Sequence, residues 1–185
     1  ILVSVLVGVA LTLPISSAAI CSVLGLTGLA GGAAVAGCCA QMVGFACMSF
    51  RENRWGGLVS QGIGTSMLQM PNIVKTPRIW IPPTLASAVT GPIATCLFKL
   101  EMNGAPINSG MGTCGLCGQL GVWTGWLAPA EKALANGAAA IVPSAMDWTG
   151  LILISFLLPA VLSVLFCELL RKIGWIREGD LALPQ

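Results

Sequence analysis

Residues 62–66 read Gly-Ile-Gly-Thr-Ser and residues 110–114 read Gly-Met-Gly-Thr-Cys, so one G-x-G-T motif occurs twice. Each copy lies in an uncharged stretch with many helix-breaking residues, 55–74 and 102–130. Glycine costs about 1 kcal/mol per helical position relative to Ala, so neither stretch suits a continuous lipid-facing helix. Both are too apolar for aqueous loops. Irregular backbone at membrane depth occurs only where it is buried in protein or lines a cavity, so we predict two re-entrant hairpins.

The composition is that of a membrane protein. Of the 185 residues, 56% are hydrophobic and 9% are charged, and no charged residue occurs between Ile1 and Phe50. Soluble domains carry about 25% charged residues, and a membrane span needs about 20 apolar residues. A soluble protein with buried helices is the alternative, but it would need more charged side chains at its surface. The net charge of +2 gives no support to a nucleic-acid partner.

Four stretches are predicted to be transmembrane helices, and the expected fold is an all-α polytopic membrane protein with two re-entrant glycine-rich hairpins. The predicted spans are residues 1–23, with a kink at Pro14, and residues 24–50, 79–98 and 148–167. The second span is rich in Gly and Ala, which allows neighbouring helices to approach closely. Residues 131–146 are predicted to include a short helix on the outer surface.

The distribution of basic residues sets the predicted orientation. If the residues after the fourth span are cytoplasmic, seven of the nine Lys and Arg residues lie on the cytoplasmic side. The two outside, Lys99 and Lys132, have acidic neighbours, Glu101 and Glu131. Cytoplasmic loops of membrane proteins carry an excess of Lys and Arg. We therefore predict a multi-pass protein with a cytoplasmic C-terminus, in which one hairpin enters the membrane from each side.

The two hairpins are predicted to belong to inverted repeats. The first repeat comprises residues 24–75 and the second residues 76–125, within a single transmembrane domain of residues 1–185. When the motifs are aligned, eight identities fall within the 29 positions from Ala40 to Leu68. Transporters with inverted repeats bind substrate near the membrane midplane, at the repeat interface. Two glycine-rich packing segments of a helical bundle are the alternative.

The hairpins supply the predicted solute site. Consecutive small residues expose backbone N–H and C=O groups, which need hydrogen-bond partners inside a membrane. Neutral hydroxyl and amide side chains add donors and acceptors that suit a polyhydroxylated solute, such as a sugar, better than a strong ion. The predicted substrate-binding residues are Gly62, Gly64, Thr65, Ser66, Gln69 and Asn72 in the first hairpin and Asn108, Gly110, Gly112, Thr113, Cys114 and Gln119 in the second.

Other polar and reactive residues leave alternatives open. Gln41 lies alone in an apolar span and either joins the solute site or makes a hydrogen bond between helices. Cys114 and Cys117 form a C-x-x-C pair with a possible redox or metal role, whereas most other cysteines lie in apolar stretches, where they behave as small hydrophobic residues. No metal site and no cofactor are expected. The chain contains no His, which excludes an imidazole base or a phosphohistidine carrier within it.

Three stretches resemble one bacterial family. They are GIGTSMLQMPNIVKTPRIWIPPTLASAVTGPIATCLFK at residues 62–99, SGMGTCGLCGQLG at residues 109–121 and ELLRKIGWIREGDLAL at residues 168–183. They resemble the enzyme IIC-like membrane permeases of the bacterial sugar phosphotransferase system. The resemblance implies a permease of the bacterial inner membrane. Family members are longer, and the chain begins with Ile1 inside an apolar run, so we expect it to be the C-terminal half of a permease.

The resemblance also implies a mechanism and partners. Enzyme IIC proteins bind a sugar at the membrane centre, and a IIB domain phosphorylates it from the cytoplasm with phosphate derived from phosphoenolpyruvate. The expected partners are membrane lipid, a sugar, IIA and IIB phosphocarrier proteins and a second copy of the chain. Any enzymatic role is that of the permease component of a phosphotransferase. Studied members use a His and a Glu near the sugar, and neither hairpin here contains them, so these groups lie in the other half or the chemistry differs.

Two other classes of function are compatible with the sequence. The first is an ion channel or an uncoupled small-molecule transporter, because backbone carbonyls in glycine-rich re-entrant segments can coordinate cations. Saturable, sugar-specific uptake would count against it. The second is a non-transporting sensor or assembly subunit built on a permease scaffold, which a dry and tightly packed hairpin interface would favour.

Overall fold

The protein is helical throughout the part that the structure describes. A computed structural model describes residues 1–183, and within this range it has ten α-helices, short 3₁₀ and π turns and no β-strand. An isolated antiparallel bridge joins Gly28 and Met102. The predicted all-α class is therefore confirmed for these residues. The last two residues of the predicted 1–185 domain lie outside the described range.

The first predicted span is two short helices. α1, Leu2–Thr12, and α2, Ser17–Leu24, are separated at Pro14, and the Ser16 hydroxyl caps the start of α2. Val7 and Cys21, seven residues to either side of Pro14, pack in one apolar cluster, so the chain turns back on itself. The prediction of one kinked helix over residues 1–23 is wrong. Proline has no N–H for the helical ladder, and the extended Leu13 before it ends α1 instead of bending it.

α3, Gly28–Met48, forms the centre of the molecule, with 17 of its 21 residues buried. Its small residues let other backbone segments pack directly on it. A Cβ at Gly32 would lie 1.8 Å from the carbonyl oxygen of Leu100, and a Cβ at Gly37 would lie 1.8 Å from that of Ser4. Any side chain at these two positions would therefore push the neighbouring backbone away. We call the end of the molecule at Gly28 the upper end and the end at Met48 the lower end.

Residues 50–75 leave the lower end and return to it. α4, Phe50–Val59, is interrupted at Arg54, where φ is 52°, and it continues into a wide π turn, Ser60–Gly64. An extended Thr65 and a 3₁₀ turn, Ser66–Gln69, then lead into α5, Met70–Lys75. Ile73 of α5 packs in one cluster with Phe45 and Met48 of α3, which places the end of this excursion back at the lower end.

Residues 77–97 form a helical rod from the lower to the upper end. A 3₁₀ turn, Pro77–Trp80, precedes α6, Ile81–Pro92, and a π turn, Ile93–Leu97, follows it. The helix widens after Pro92 because proline cannot donate to the carbonyl four residues earlier and its ring crowds that carbonyl. These bounds agree with the helix predicted at 79–98 to within two residues.

Residues 98–127 make the corresponding excursion from the upper end. After the bridge at Met102, a 3₁₀ turn, Pro106–Gly110, leads to a second short turn, Cys114–Leu116, and to α7, Cys117–Leu127. The two arms touch through glycines, because a Cβ at Gly104 would lie 2.3 Å from Gly121 O and a Cβ at Gly125 would lie 2.5 Å from Gly104 N. The repeated glycines of this stretch therefore serve backbone-to-backbone packing.

The remaining described residues complete the bundle. α8, Glu131–Ala135, is a short helix at the upper end, and residues 138–144 after it are not helical. α9, Ala145–Ile152, begins with a capping box between Ser144 and Asp147. It continues through a π turn, Leu153–Leu157, into α10, Leu158–Lys172, which ends at the lower end. Residues 173–183 then fold back as a series of turns.

Two helices in the described range are long and apolar enough to cross a membrane, judged by length and composition. They are α3 and the continuous helix Ala145–Lys172. The rod at 77–97 is divided by its 3₁₀ and π turns, and residues 1–23 are broken at Pro14. Of the four predicted spans, the second and fourth therefore correspond to long apolar helices, and the first does not.

Candidate functional site

The two G-x-G-T motifs meet in the middle of the molecule. The Thr113 hydroxyl of the second motif donates a hydrogen bond to the carbonyl oxygen of Gly62 in the first motif. The same hydroxyl lies 3.6 Å from the Met42 sulfur, six residues before the end of α3. Thr113 is fully buried. The structure thus brings the two glycine-rich segments, which enter from opposite ends, into direct contact at their turning points.

The interruption between α1 and α2 lies at the same place and contacts both motif segments. The sequence analysis did not predict this contact. The Thr12 hydroxyl at the end of α1 lies 2.9 Å from the Ser66 hydroxyl. The Ser17 hydroxyl at the start of α2 donates to the Gly110 carbonyl at 2.7 Å. The run Pro14-Ile15-Ser16-Ser17 was the available signal, because Pro followed by Ser marks a helix end and a new N-cap.

Backbone and small polar groups beside these contacts are accessible. Gly64 is exposed and Thr65 is half-buried, with its hydroxyl oxygen accepting from Met67 N–H at 3.2 Å. In the second segment Gly115 is exposed and Cys114 is half-buried. Interrupted helices at membrane depth are tolerated only where they face protein or a water-filled cavity. The accessible side of these breaks presents backbone and hydroxyl groups that can donate and accept hydrogen bonds.

Gln41 is the centre of a buried polar network beside the breaks. It is fully buried, and its Oε1 accepts from Trp80 Nε1 at 3.0 Å and from Thr12 Oγ1 at 3.3 Å. Its Nε2 donates to Thr84 Oγ1 at 3.2 Å. Of the two alternatives for Gln41, the hydrogen bond between helices is the one observed. This side chain ties α1 and α6 to α3 and reaches the first motif through Thr12 and Ser66.

Replacing Gln41 with Leu is expected to lower the free energy of unfolding by about 1–3 kcal/mol, because Trp80 Nε1 would lose its acceptor and Thr12 would keep only Ser66 as a side-chain partner. The measurement is the unfolding midpoint of the detergent-purified protein. Gln119→Leu is the matched control, since Gln119 Nε2 reaches only the Cys39 sulfur, at 3.2 Å, and its buried Oε1 has no partner. Equal losses in the two variants would contradict the role given to Gln41.

The amide side chains of the first segment are already hydrogen-bonded at the lower end. Gln69 Nε2 donates to Gln61 Oε1 at 2.8 Å and to the Leu181 carbonyl at 3.0 Å. Asn72 Nδ2 donates to Gln69 Oε1 and to the Ala182 carbonyl, both at 2.8 Å. Sequence reasoning did not include Gln61 in the site. In this structure, Gln69 and Asn72 bind backbone carbonyls of residues 181 and 182 of the chain itself.

The remaining predicted site residues belong to the second segment and serve mostly its packing. Gly110 and Gly112 lie in close backbone contact with α2 and α3 respectively, and the Asn108 side chain packs over Gly121. Gln119 Oε1 is the predicted ligand that remains buried without a partner. Cys114 and Cys117 are free thiols, and no group of three metal-ligating side chains occurs among residues 1–183. The solute-binding role of these residues stays a prediction.

Charged side chains are concentrated at the ends of the molecule. A cavity of ≈ 640 Å³ at the lower end is lined by Arg51, Glu168, Arg171, Lys172 and Arg177, among others. A neighbouring cavity of ≈ 360 Å³ includes Lys75, Arg78 and Arg177. At the upper end, Lys132 lies against Gly25 at the end of α2. The middle of the molecule, where the motifs meet, holds neutral polar groups.

Comparison with known proteins gives one match. A family model described as "Phosphotransferase system, EIIC" matches residues 1–183. No curated protein and no solved structure matches the chain.

Proposed function

The chain belongs to the phosphotransferase system EIIC family, and from this premise we propose that it binds a sugar where its two G-x-G-T motifs meet and moves it across the membrane. The family is an inner-membrane component of sugar uptake, which agrees with the apolar helices α3 and Ala145–Lys172. The observation that carries the proposal is the contact between Thr113 and the Gly62 carbonyl, made by segments that approach from opposite ends.

The chemistry of the meeting point suits a sugar. Sugar hydroxyls both donate and accept hydrogen bonds, and so do the hydroxyls of Thr65, Ser66 and Thr113. Glycines beside them leave backbone carbonyl and N–H groups uncovered by side chains. A cation would need several convergent oxygens and an anion would need basic groups, whereas the charged residues lie toward the ends of the molecule. Neutral groups at mid-depth therefore support a neutral, hydroxylated solute.

We propose that residues 50–75 and 98–125 form re-entrant hairpins of two inverted repeats, 24–75 and 76–125. In each, a helical rod is followed by a glycine-rich excursion, and α3 and α6 run in opposite directions. The lower end is then cytoplasmic, because it gathers Arg51, Arg78 and Arg171. Relative tilting of the two hairpins would open the sugar site to one side at a time.

Phosphocarrier proteins of the IIA and IIB type are the partners that the family implies. We propose that they act at the lower end and that a second copy of the chain completes the functional unit. The apolar side chains of Ile63 and Met67, which are 49% and 41% exposed, would give a second copy an apolar surface to pack against.

Sugar binding is expected to raise the thermal stability of the detergent-purified protein. A ligand at 100 times its Kd stabilises the folded state by about 2.7 kcal/mol, which corresponds to a rise in Tm of about 5–10 °C for a chain of this size. The panel is glucose, fructose, mannose, galactose, N-acetylglucosamine and mannitol, with sodium and potassium chloride for comparison. One sugar should raise Tm in wild type and fail to do so when Thr65 and Thr113 are both replaced by Val.

The matched control replaces two threonines that lie outside the meeting point. Thr95 and Thr124 donate to backbone carbonyls within their own helices, at 3.1 Å and 2.8 Å, and their double Val variant should keep the sugar response. A wild-type response in the Thr65→Val, Thr113→Val protein would refute the site. A shift with salts alone, or large single-channel currents in lipid bilayers, would point to a channel instead.

A further inference from the structure

Residues 176–183, which we call the strap, lie across the lower end of the first hairpin. Four of its eight residues are exposed, and it is held by two apolar side chains, Ile176 and Leu181, which are 2% and 0% exposed. Both belong to the apolar cluster that includes Phe45 and Ile73. Gly174, with φ of 80°, and Gly179, with φ of 94°, provide the turns that lay the strap back on the protein. The apolar contacts of the strap are therefore limited to Ile176 and Leu181.

Side-chain amides of the first hairpin and of α4 bind the strap's backbone. The Leu181 carbonyl accepts from Asn53 Nδ2 at 2.8 Å and from Gln69 Nε2 at 3.0 Å. The Ala182 carbonyl accepts from Asn72 Nδ2, and Leu183 N–H donates to Asn53 Oδ1, both at 2.8 Å. Gln69 is fully buried and Asn72 is 8% exposed under this cover. The amides form a polar slot, and peptide groups of the strap fill it.

We infer that the strap is an autoinhibitory plug, whose Leu181 and Ala182 carbonyls occupy amide donors that bind sugar hydroxyls when the strap is released. This inference rests on the proposed function, and it assigns a regulatory state to the same hairpin. Gln69 donates to Gln61, and Gln61 directly precedes Gly62, whose carbonyl accepts from Thr113. The slot is therefore one hydrogen bond away from the motif contact.

The slot offers a sugar the same chemistry that it offers the strap. A sugar hydroxyl oxygen accepts a hydrogen bond from an amide N–H as a peptide carbonyl does, and its own proton can go to a free amide oxygen. Gln61 holds the slot in place, because its Nε2 donates to Ser49 Oγ at 2.8 Å and its Oε1 accepts from Gln69. Strap and sugar therefore compete for Gln69 and Asn72.

Release of the strap would separate two apolar anchors and four hydrogen bonds from the rest of the protein. Between its two anchors, residues 177–179 are exposed and make no contact in the apolar core. Segments with few buried contacts open at a lower free energy than the core of the same protein. If only a small fraction of the protein has the strap released, the apparent affinity for sugar is reduced by that fraction. Destabilising the docked strap raises the fraction and therefore the apparent affinity. Weakening either anchor should thus tighten sugar binding.

The test compares sugar affinity in wild type, Leu181→Ala and Asn53→Ala, measured by calorimetry on the full detergent-purified chain with the six-sugar panel. Leu181→Ala removes the buried anchor, and Asn53→Ala removes two strap hydrogen bonds without altering Gln69 or Asn72. Each should bind the stabilising sugar at least tenfold more tightly. The matched control is Leu169→Ala, because Leu169 is 48% exposed on α10 and should leave the affinity unchanged.

A second readout follows the strap directly. Hydrogen exchange of the backbone amides of residues 176–183 should speed up when the sugar is added to wild type, since the sugar displaces the strap. Unchanged or weaker affinity in both released variants, or slower exchange on adding sugar, would overturn the plug while leaving the sugar site in place. No response of any variant to any of the six sugars would instead overturn the proposed function and the plug together.

Discussion

Gly112→Ala is expected to destabilise the protein by about 2–5 kcal/mol and to abolish sugar binding. Gly112 has φ of 55°, and this left-handed conformation costs an L-residue about 1–2 kcal/mol. Its Cβ would also lie 2.7 Å from the Cys38 Cβ and 2.8 Å from the Cys38 carbonyl carbon, and such overpacking adds about 1–3 kcal/mol. The backbone around Gly112 would have to move off α3, which would pull Thr113 away from the Gly62 carbonyl.

Gly64→Ala is the matched control, because Gly64 is the second glycine of the other G-x-G-T motif. It has no left-handed φ, and no atom lies within 4 Å of the position of its Cβ. Its substitution should change stability by less than about 1 kcal/mol and can raise it, since Ala has fewer unfolded conformations than Gly. Thermal unfolding in detergent measures both variants. Equal effects in Gly64→Ala and Gly112→Ala would contradict the packing difference between the hairpins.

The difference between these two glycines marks a limit of sequence reasoning. Their motifs are the same, Gly-x-Gly-Thr, yet one is packed against α3 and the other is exposed. The motif alone correctly indicated two places where the backbone leaves a regular helix. Which glycine is needed for close packing depends on the neighbouring helix, and no local pattern in the sequence contains that information.

The parts of the fold that could be predicted are those set by hydropathy and by helix-ending and helix-capping residues. The second span, predicted at 24–50, is the helix Gly28–Met48, since an uncharged run of this length has few other solutions. The prediction of the first span failed because both sides of Pro14 are apolar, while the break there is made by local chemistry. Ser16 offered a cap for a new helix, and that signal outweighed the apolar run.

The contact between the two motifs was predictable from the sequence, whereas the partners of Gln69 and Asn72 were not. Thr113 and Gly62 were both expected at the meeting point, and the structure places them in contact. Gln69 and Asn72 were expected beside them, but they hold the strap more than 100 residues away in sequence. Long-range pairing of an amide with a backbone carbonyl has no sequence signature, because every residue carries the same carbonyl.

Arg171→Met is expected to lower the free energy of unfolding by about 3–5 kcal/mol, the cost of leaving a buried partner charge uncompensated. Arg171 Nη2 lies 2.7 Å from Glu52 Oε1, and both side chains are only 9% exposed. The pair ties α4, which begins the first hairpin, to the last turn of α10, from which the strap departs. Chemical unfolding in mixed detergent micelles gives the stability of each variant.

The matched control is the ion pair between Arg51 and Glu168, which joins the same two helices at 3.2 Å but with side chains 64% and 39% exposed. Arg51→Met should cost no more than about 1 kcal/mol, because water already screens this pair. The double change Glu52→Gln, Arg171→Met should recover much of the single loss, since it removes both buried charges. If the double variant is as unstable as Arg171→Met alone, the loss comes from Arg171 packing and not from a stranded Glu52 carboxylate. If Arg51→Met costs as much as Arg171→Met, burial does not distinguish the two pairs, and the lower end is held by its charges as a whole.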